Sequence, residues 1–387
     1  MIQLISILKQ HYSVVFCCAS ADSEYMANLD SLEIETAAVS LNSSDFDSFI
    51  SKLNPSIVVF DRFLTEEQFG WRVTKNCPDA LTILDLEDLH SLRRSRENAL
   101  RQNRAFSVED LLIHDDAKRE LASIFRSDMT LVISEFEMKL LADTFNVNPK
   151  LLHYLPILIE DIPRSENLPT HTERRDFVFI GNFLHKPNAD ALRYLTAEIW
   201  PTIHKRLPGV SLNVYGAYPS EAILQMNNPN ANFFVRGRAD KAADVVKAAR
   251  VSLAPLRFGA GIKGKLLEAM QCGTPSVTTY IGAEGMHGDL AWNGFIEDDA
   301  HSFAQKAAEL YSDENLWNQS QKNGFEIIDR RFMKSDFESD FLEKISTLEQ
   351  KLAAHRKANF IGSMLRFHTM RSTEYMSRWI EEKNRPR

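Results

Sequence analysis

Residues 255–275, PLRFGAGIKGKLLEAMQCGTP, crowd four glycines, two lysines and a carboxylate into a short stretch. Gly259, Gly261 and Gly264 let the backbone approach a ligand closely. Lys263 and Lys265 add positive charge, and a helix starting beyond them would offer free N–H groups. A tight turn would use glycine alone, so the flanking lysines favour an anion, phosphate above all. Two phosphate motifs fit the spacing in part. A P-loop needs Ser or Thr after its lysine to hold Mg²⁺, and Leu266 stands there instead. The G-x-G-x-x-G of a dinucleotide fold is present, with Glu284 in place for its distal acid. That fingerprint, however, opens the first strand–helix unit of its domain, and this loop lies in the fourth unit of its half.

Further candidates sit where other strands should end. LDLEDLH (84–90) brings Asp85, Glu87, Asp88 and His90 to such a point, and Asp61 and Arg62 occupy another. Asp-Phe-Asp at 45–47 imitates a metal-binding Asp-x-Asp, but it falls on a helical pattern and reads as surface. No metal site is expected.

The elements that must position these groups alternate along the chain. Short runs rich in Val, Ile and Phe are separated by amphipathic stretches, which indicates parallel sheets with helical crossovers. In the first half the expected strands are 13–19, 56–62, 80–88 and 129–135, with helices over 43–53 and 65–76. In the second half they are 176–182, 210–217, 232–237, 251–256 and 276–280, with a helix over 188–200. A Pro-rich, charged, aperiodic segment separates the halves. The expected organisation is a first Rossmann-like domain over 1–155, a linker over 156–175, a second such domain over 176–350 and a basic amphipathic tail over 351–387. In doubly wound sheets ligands bind at the carboxyl ends of strands, so the site is expected in a cleft between the halves.

Composition narrows the partners. A net charge of −8 argues against nucleic acid. No apolar run reaches the ~18 residues of a membrane span, and only eight largely apolar residues precede Lys9, too few for a signal peptide. Cys17, Cys18, Cys77 and Cys272 show no metal-ligand spacing, so a reduced cytoplasmic setting is the default.

The stretch FVFIGNFLHKPNADALRYL…IWPTIHKRLPGVSLNVYGA…NFFVRGRADK…ARVSLAPLRFGAGIKGKLLEAMQCGTPSVTTYIGAEGM resembles the nucleotide-sugar domain of family 4 glycosyltransferases, also described as glycosyl transferases group 1. The resemblance runs from about residue 176 to 290. It implies a GT-B fold, two Rossmann-like domains facing each other, with the last helix returning to the first domain. It implies a UDP-sugar or GDP-sugar donor, a glycan or lipid-linked glycan acceptor, and no required cofactor. Retention of configuration and a role in surface polysaccharide or lipopolysaccharide assembly are implied as well.

Carried over residue by residue, the resemblance makes Glu268 the second Glu of the family's Glu, seven residues, Glu motif, which grips the donor ribose. Ala260 stands where the first Glu would be. Gly259, Gly261, Ile262 and Lys265 belong to the donor loop, and Gly181 follows the domain's first strand. Asn182 replaces an Arg common at that point, which leaves Lys186, Lys263 and Lys265 as candidates for the diphosphate. Arg236 and Gly237 match the edge that holds the base. On the acceptor side Asp88 and His90, with Lys263, are the catalytic candidates. A nucleotide-sugar 2-epimerase of the same fold and a degenerate binding module, kept open by Ala260 and Asn182, are the rival readings.

Two terminal features remain. Residues 351–387 hold nine Lys and Arg against three Glu, leaving 36 basic against 50 acidic groups elsewhere. Ile361, Met364, Leu365, Tyr375, Met376, Trp379 and Ile380 recur at helical spacing there, which predicts a helix packed by its apolar face against the protein. Peripheral contact with the inner face of the cytoplasmic membrane is the alternative. At the other end MIQLISILKQ reads as a helix ahead of the first strand. The expectation is that a longer form supplies an earlier strand and glycine-rich turn.

Overall fold

The computed structural model describes residues 1–21, 26–162 and 168–384, the side chains of Thr369 and Met370 excepted. Twelve strands are named among these residues. β1 (Val15–Cys18) and β2 (Glu35–Ala38) form a parallel pair. β3 (Ile57–Asp61), β4 (Leu81–Asp85), β5 (Met129–Val132) and β6 (Leu152–Tyr154) form a four-stranded parallel sheet in that order. β7 (Arg175–Ile180), β8 (Leu212–Tyr215), β9 (Phe233–Gly237), β10 (Ala249–Ala254), β11 (Ser276–Thr278) and β12 (Gly294–Ile296) form a six-stranded sheet ordered β12-β11-β10-β7-β8-β9. The order reverses beside β7, the switch point at which doubly wound sheets hold ligands.

The predicted strands all form, because each is an apolar run that the sheets bury. β4 and β5 are buried along their whole length, and Phe177, Phe179, Leu212, Val214, Val251 and Leu253 build the core of the six-stranded sheet. The short strands β2, β6 and β12 escaped the sequence reading. Glu35–Ala38 is largely exposed, and β6 and β12 have three residues each, too few for a period to show. Among the described residues β1–β2 shares no ladder with β3–β6. Asp45–Leu53 is a helix, and Asp47 pairs with Arg72 at 2.7 Å, so Asp-Phe-Asp is a structural element.

The predicted connection over 156–175 is ordered at both described ends, and residues 163–167 lie outside the described residues. Ile159 bridges Met333 and accepts from the Lys334 amide at 2.9 Å. The chain then recrosses to the first half through helix Lys334–Ala358, whose Phe341, Ile345 and Leu348 pack with β4 and β5. Helix Phe360–Lys383 follows and lies on helices Arg62–Asn76 and Asp115–Arg126.

That last helix docks by the opposite face from the one predicted. Gly362 sits so close to Phe125 that a Cβ would fall 2.1 Å from its carbonyl oxygen. Arg366 donates to the Arg126 carbonyl and to Asp128, Ser377 accepts from Arg72 at 3.1 Å, and Glu381 accepts from the Ser44 amide at 3.0 Å. Phe360, Ile361, Met364, Tyr375, Met376 and Trp379 face outward. Of the predicted apolar residues only Leu365 and Ile380 are half-buried, and the hydrogen bonds above tie the helix down.

Candidate active site

Helix Gly264–Gln271 starts after β10, so the glycine loop is a strand–loop–helix turn at a carboxyl sheet edge. The apolar residues Leu266, Leu267 and Met270 anchor the helix in the core beside Ile262. Gly261 has φ +63°, and a Cβ there would come 2.9 Å from the Cβ of Asp88. Glycine is required here both for its backbone conformation and because the two halves touch at this point.

The opposing wall is the end of β4 and helix His90–Arg101. Asp88 accepts from Arg93 at 2.6 Å, and its other oxygen lies 3.3 Å from His90 Nε2. Burial pushes the His90 imidazole down to about 4 against the pull of Asp88, so the ring is neutral at physiological pH. Its Nδ1 is buried without a partner among the described residues. The Glu120 carboxylate accepts from the amides of His90 and Ser91 at 2.7 and 2.9 Å, fixing the start of this helix. Burial raises Glu120 to about 7.

Several interdomain bonds were not foreseen. Arg96 grips Glu284 with two bonds of 2.7 and 2.8 Å and donates to the Gly259 carbonyl at 2.9 Å. Phe106 and Phe136 flank its guanidinium, each ring 5.4 Å away. Glu137 accepts from the Gly261 amide at 2.7 Å, Arg331 bonds Glu135 at 2.6 Å, and Lys186 pairs with Glu97 at 3.2 Å. A signal for Arg96 was present: Leu92, Ser95, Arg96 and Ala99 share one helix face, and all are buried. For Glu137 and Glu284 nothing local marked the partner.

The lysines divide. Lys265 Nζ donates to Asn188 Oδ1 at 2.6 Å and lies 4.9 Å over the Phe179 ring, and burial takes it down to about 7. It abuts Gly181, where a Cβ would meet its ammonium at 2.9 Å. Lys263 turns inward and donates to the Gly261 carbonyl at 2.8 Å. Burial pushes its ammonium down, while Glu284 among its neighbours pulls it up. Burial and the charge of Asp88 push Glu137 in the opposite sense, upward. Glu268 is half-buried and raised by burial.

The remaining predicted positions have local tasks. Asn182 accepts from the Leu184 amide at 2.9 Å and so shapes its own turn. Arg236 stacks on Phe234 and donates to Asn213 at 2.9 Å. Gly237 continues the carboxyl edge, accepting from the Gly216 amide at 2.8 Å. Asp61, Asp85 and Glu87 bring carboxylate oxygens within 4.8 Å of one another at the ends of β3 and β4. Burial, with Glu87 nearby, raises Asp85 to about 7.

Residues 174–313 match the family model of glycosyl transferases group 1. That stretch is thus similar to a glycosyl transferase group 1 domain. The whole fold is GT-B, as similar solved structures show. HepE from Anabaena, solved with UDP, superposes with a TM-score of 0.68 at 10% identity, covering 90% of this chain and 96% of that one. Sucrose-phosphate synthase from Thermosynechococcus elongatus gives 0.64 at 16% identity, covering 91% and 93%. TarM from S. aureus, solved with UDP among its ligands, gives 0.61 at 15% identity. That match covers 77% of this chain but only 58% of TarM's own length. No curated protein matches the sequence.

In GT-B terms the glycine loop of the C-terminal domain faces Asp88 of the N-terminal domain, and a Cβ at Gly261 would strike that side chain. Arg96, Glu137 and Glu97 join the N-terminal domain to that loop and to Lys186. Among the described residues no helix is long and apolar enough to cross a membrane.

Proposed function

We propose that the protein transfers a sugar from a nucleoside diphosphate sugar to an acceptor hydroxyl. The observation that carries this reading is the Gly259–Gly264 loop, within the stretch that matches a group 1 domain, closed against Asp88. The donor phosphates would lie by the free amides of helix Gly264–Gln271 and by Lys265, whose ammonium now rests on Asn188. Lys186 would leave Glu97 for the same phosphates. Glu268 would accept from the ribose hydroxyls, a task suited to a carboxylate. Lys263, held on the Gly261 carbonyl, would act by fixing the loop and its field.

Catalysis would then rest on positioning and on stabilising the leaving diphosphate. His90, neutral and held by Asp88, would face the transferred sugar or the acceptor. The reading extends to a retaining reaction, a cytoplasmic setting, and a glycan or lipid-linked glycan acceptor in surface polysaccharide assembly. UDP is the first donor base to try, since HepE and TarM were solved with it. A thermal-shift screen with UDP, GDP, ADP and NAD tests the site. Stabilisation by UDP or GDP supports it, and preferential stabilisation by NAD overturns it. Turnover of a UDP-sugar without any acceptor would instead indicate an epimerase.

A further inference from the structure

The outward face of helix Phe360–Lys383 is built for contact. Phe360, Met364, Phe367, Arg371, Tyr375 and Trp379 follow one another in steps of three or four residues, so they form one stripe along the helix. All six are exposed, Phe360 at 71% and Tyr375 at 68%. The opposite stripe, through Gly362, Arg366, Ser377 and Glu381, makes the docking bonds described above. An amphipathic helix that served only to pack on its own protein would bury its large side chains and expose its small polar ones. Here the arrangement is reversed.

We propose that this stripe docks the protein onto the surface of an anionic lipid bilayer. Charge supports that occupant. The tail over 351–387 has nine basic residues against three acidic ones on a body of opposite sign. Lys357, Arg371, Arg378 and Lys383 are exposed beside the aromatic residues. Arg371 lies 4.4 Å over the Phe367 ring and Lys383 5.1 Å over Trp379, which places cations at the level where headgroups meet apolar side chains. Of the acidic residues, Glu381 points inward to Ser44, Glu374 pairs with Arg378 at 2.6 Å, and Glu382 is exposed, so the outward cations outnumber the outward carboxylates. A Trp and a Tyr on one polar–apolar boundary are the residues such interfaces favour. A second copy fits worse. The stripe runs about 28 Å along the helix and is about 10 Å wide, roughly 300 Å². A stable dimer needs about 800 Å² from each partner, and two such basic faces would repel.

Sedimentation of the full chain with vesicles tests the inference. Binding is expected to phosphatidylcholine vesicles containing phosphatidylglycerol, to weaken with salt, and to be absent with phosphatidylcholine alone. The double variant Phe367→Ser, Trp379→Ser should reduce the bound fraction about tenfold. Its melting temperature and its thermal shift with UDP should stay at the wild-type values, since both side chains face away from the fold. Failure of the wild-type chain to bind anionic vesicles, or unchanged binding by a folded double variant, overturns the inference. A concentration-dependent dimer that is abolished in the double variant, seen by analytical ultracentrifugation without vesicle binding, would assign the face to a second copy.

Discussion

Lys265 and Glu268 lie one helical turn apart and are both half-buried, with opposite charges to offer one ligand. Their environments yield two predictions. Glu268→Ala should weaken UDP binding about tenfold or more, because hydrogen bonds to a charged group contribute about 1.5–3 kcal/mol each. Calorimetric titration of a well-folded variant checks this, and wild-type affinity would remove Glu268 from the ribose site. Lys265 titrates near 7 in the free protein, and a bound diphosphate would raise it. Binding then takes up a proton wherever the pH lies between the free and the bound pKa. UDP affinity should therefore fall by up to about tenfold per pH unit above 7, and the slope should flatten in Lys265→Met. A pH-independent affinity would mean that Lys265 does not meet the phosphates.

At the scale of elements, the glycine loop and helix His90–Arg101 meet with no room to spare. Gly261→Ala adds a Cβ where Asp88 already stands and forces an L residue into positive φ, a strain of about 1–2 kcal/mol. The helix anchored by Leu266 and Met270 should survive, so the expected outcome is a folded protein with a displaced loop. Near-UV circular dichroism together with UDP titration would show it as a folded protein with weakened binding. Helices Lys334–Ala358 and Phe360–Lys383 converge on Asp128, which accepts from Arg356 at 2.7 Å and Arg366 at 3.0 Å. Burial alone would raise Asp128, but these arginines hold its carboxyl down at about 2. A depressed carboxylate contributes its stability above its unfolded value and loses it as pH falls toward the folded one. The C-terminal helices should therefore loosen between about pH 4 and 2, and Asp128→Asn should loosen them already at pH 7. Limited proteolysis across that range checks both.

For the whole molecule, the decisive contact is Arg96 with Glu284. Both are buried, and they belong to different domains. Removing one partner strands the other charge, so Arg96→Met should destabilise the chain by about 3–5 kcal/mol. The double variant Arg96→Met, Glu284→Gln should recover part of that loss. Chemical denaturation of the four proteins measures the coupling, and simple additivity would show that the two residues act separately. Ligand acts in the opposite sense: UDP at 100 times its dissociation constant should add about 2.7 kcal/mol.

Local pattern determined much of this protein. Most strands of the two larger sheets were legible because apolar runs must be buried whatever their neighbours, and the three-residue β6 and β12 were not. The loop after β10 was legible because its glycines and lysines answer to a chemistry carried within one segment. Glu284 shows the limit. Its distance from Gly264 can be counted along the chain, but its partner Arg96 lies 188 residues before it, and only closure of the domains brings them together. The same holds for Glu137 on Gly261 and for the inward turn of Lys263. The last helix makes the point in reverse. Its period was correct, yet the face that docks was decided by what the first domain presents: an Asp128 carboxylate, an Arg126 carbonyl and a gap only Gly362 can enter. Periodicity reports which residues share a face. Only the tertiary structure, through the shape and hydrogen-bonding capacity of the opposing surface, decides where that face points.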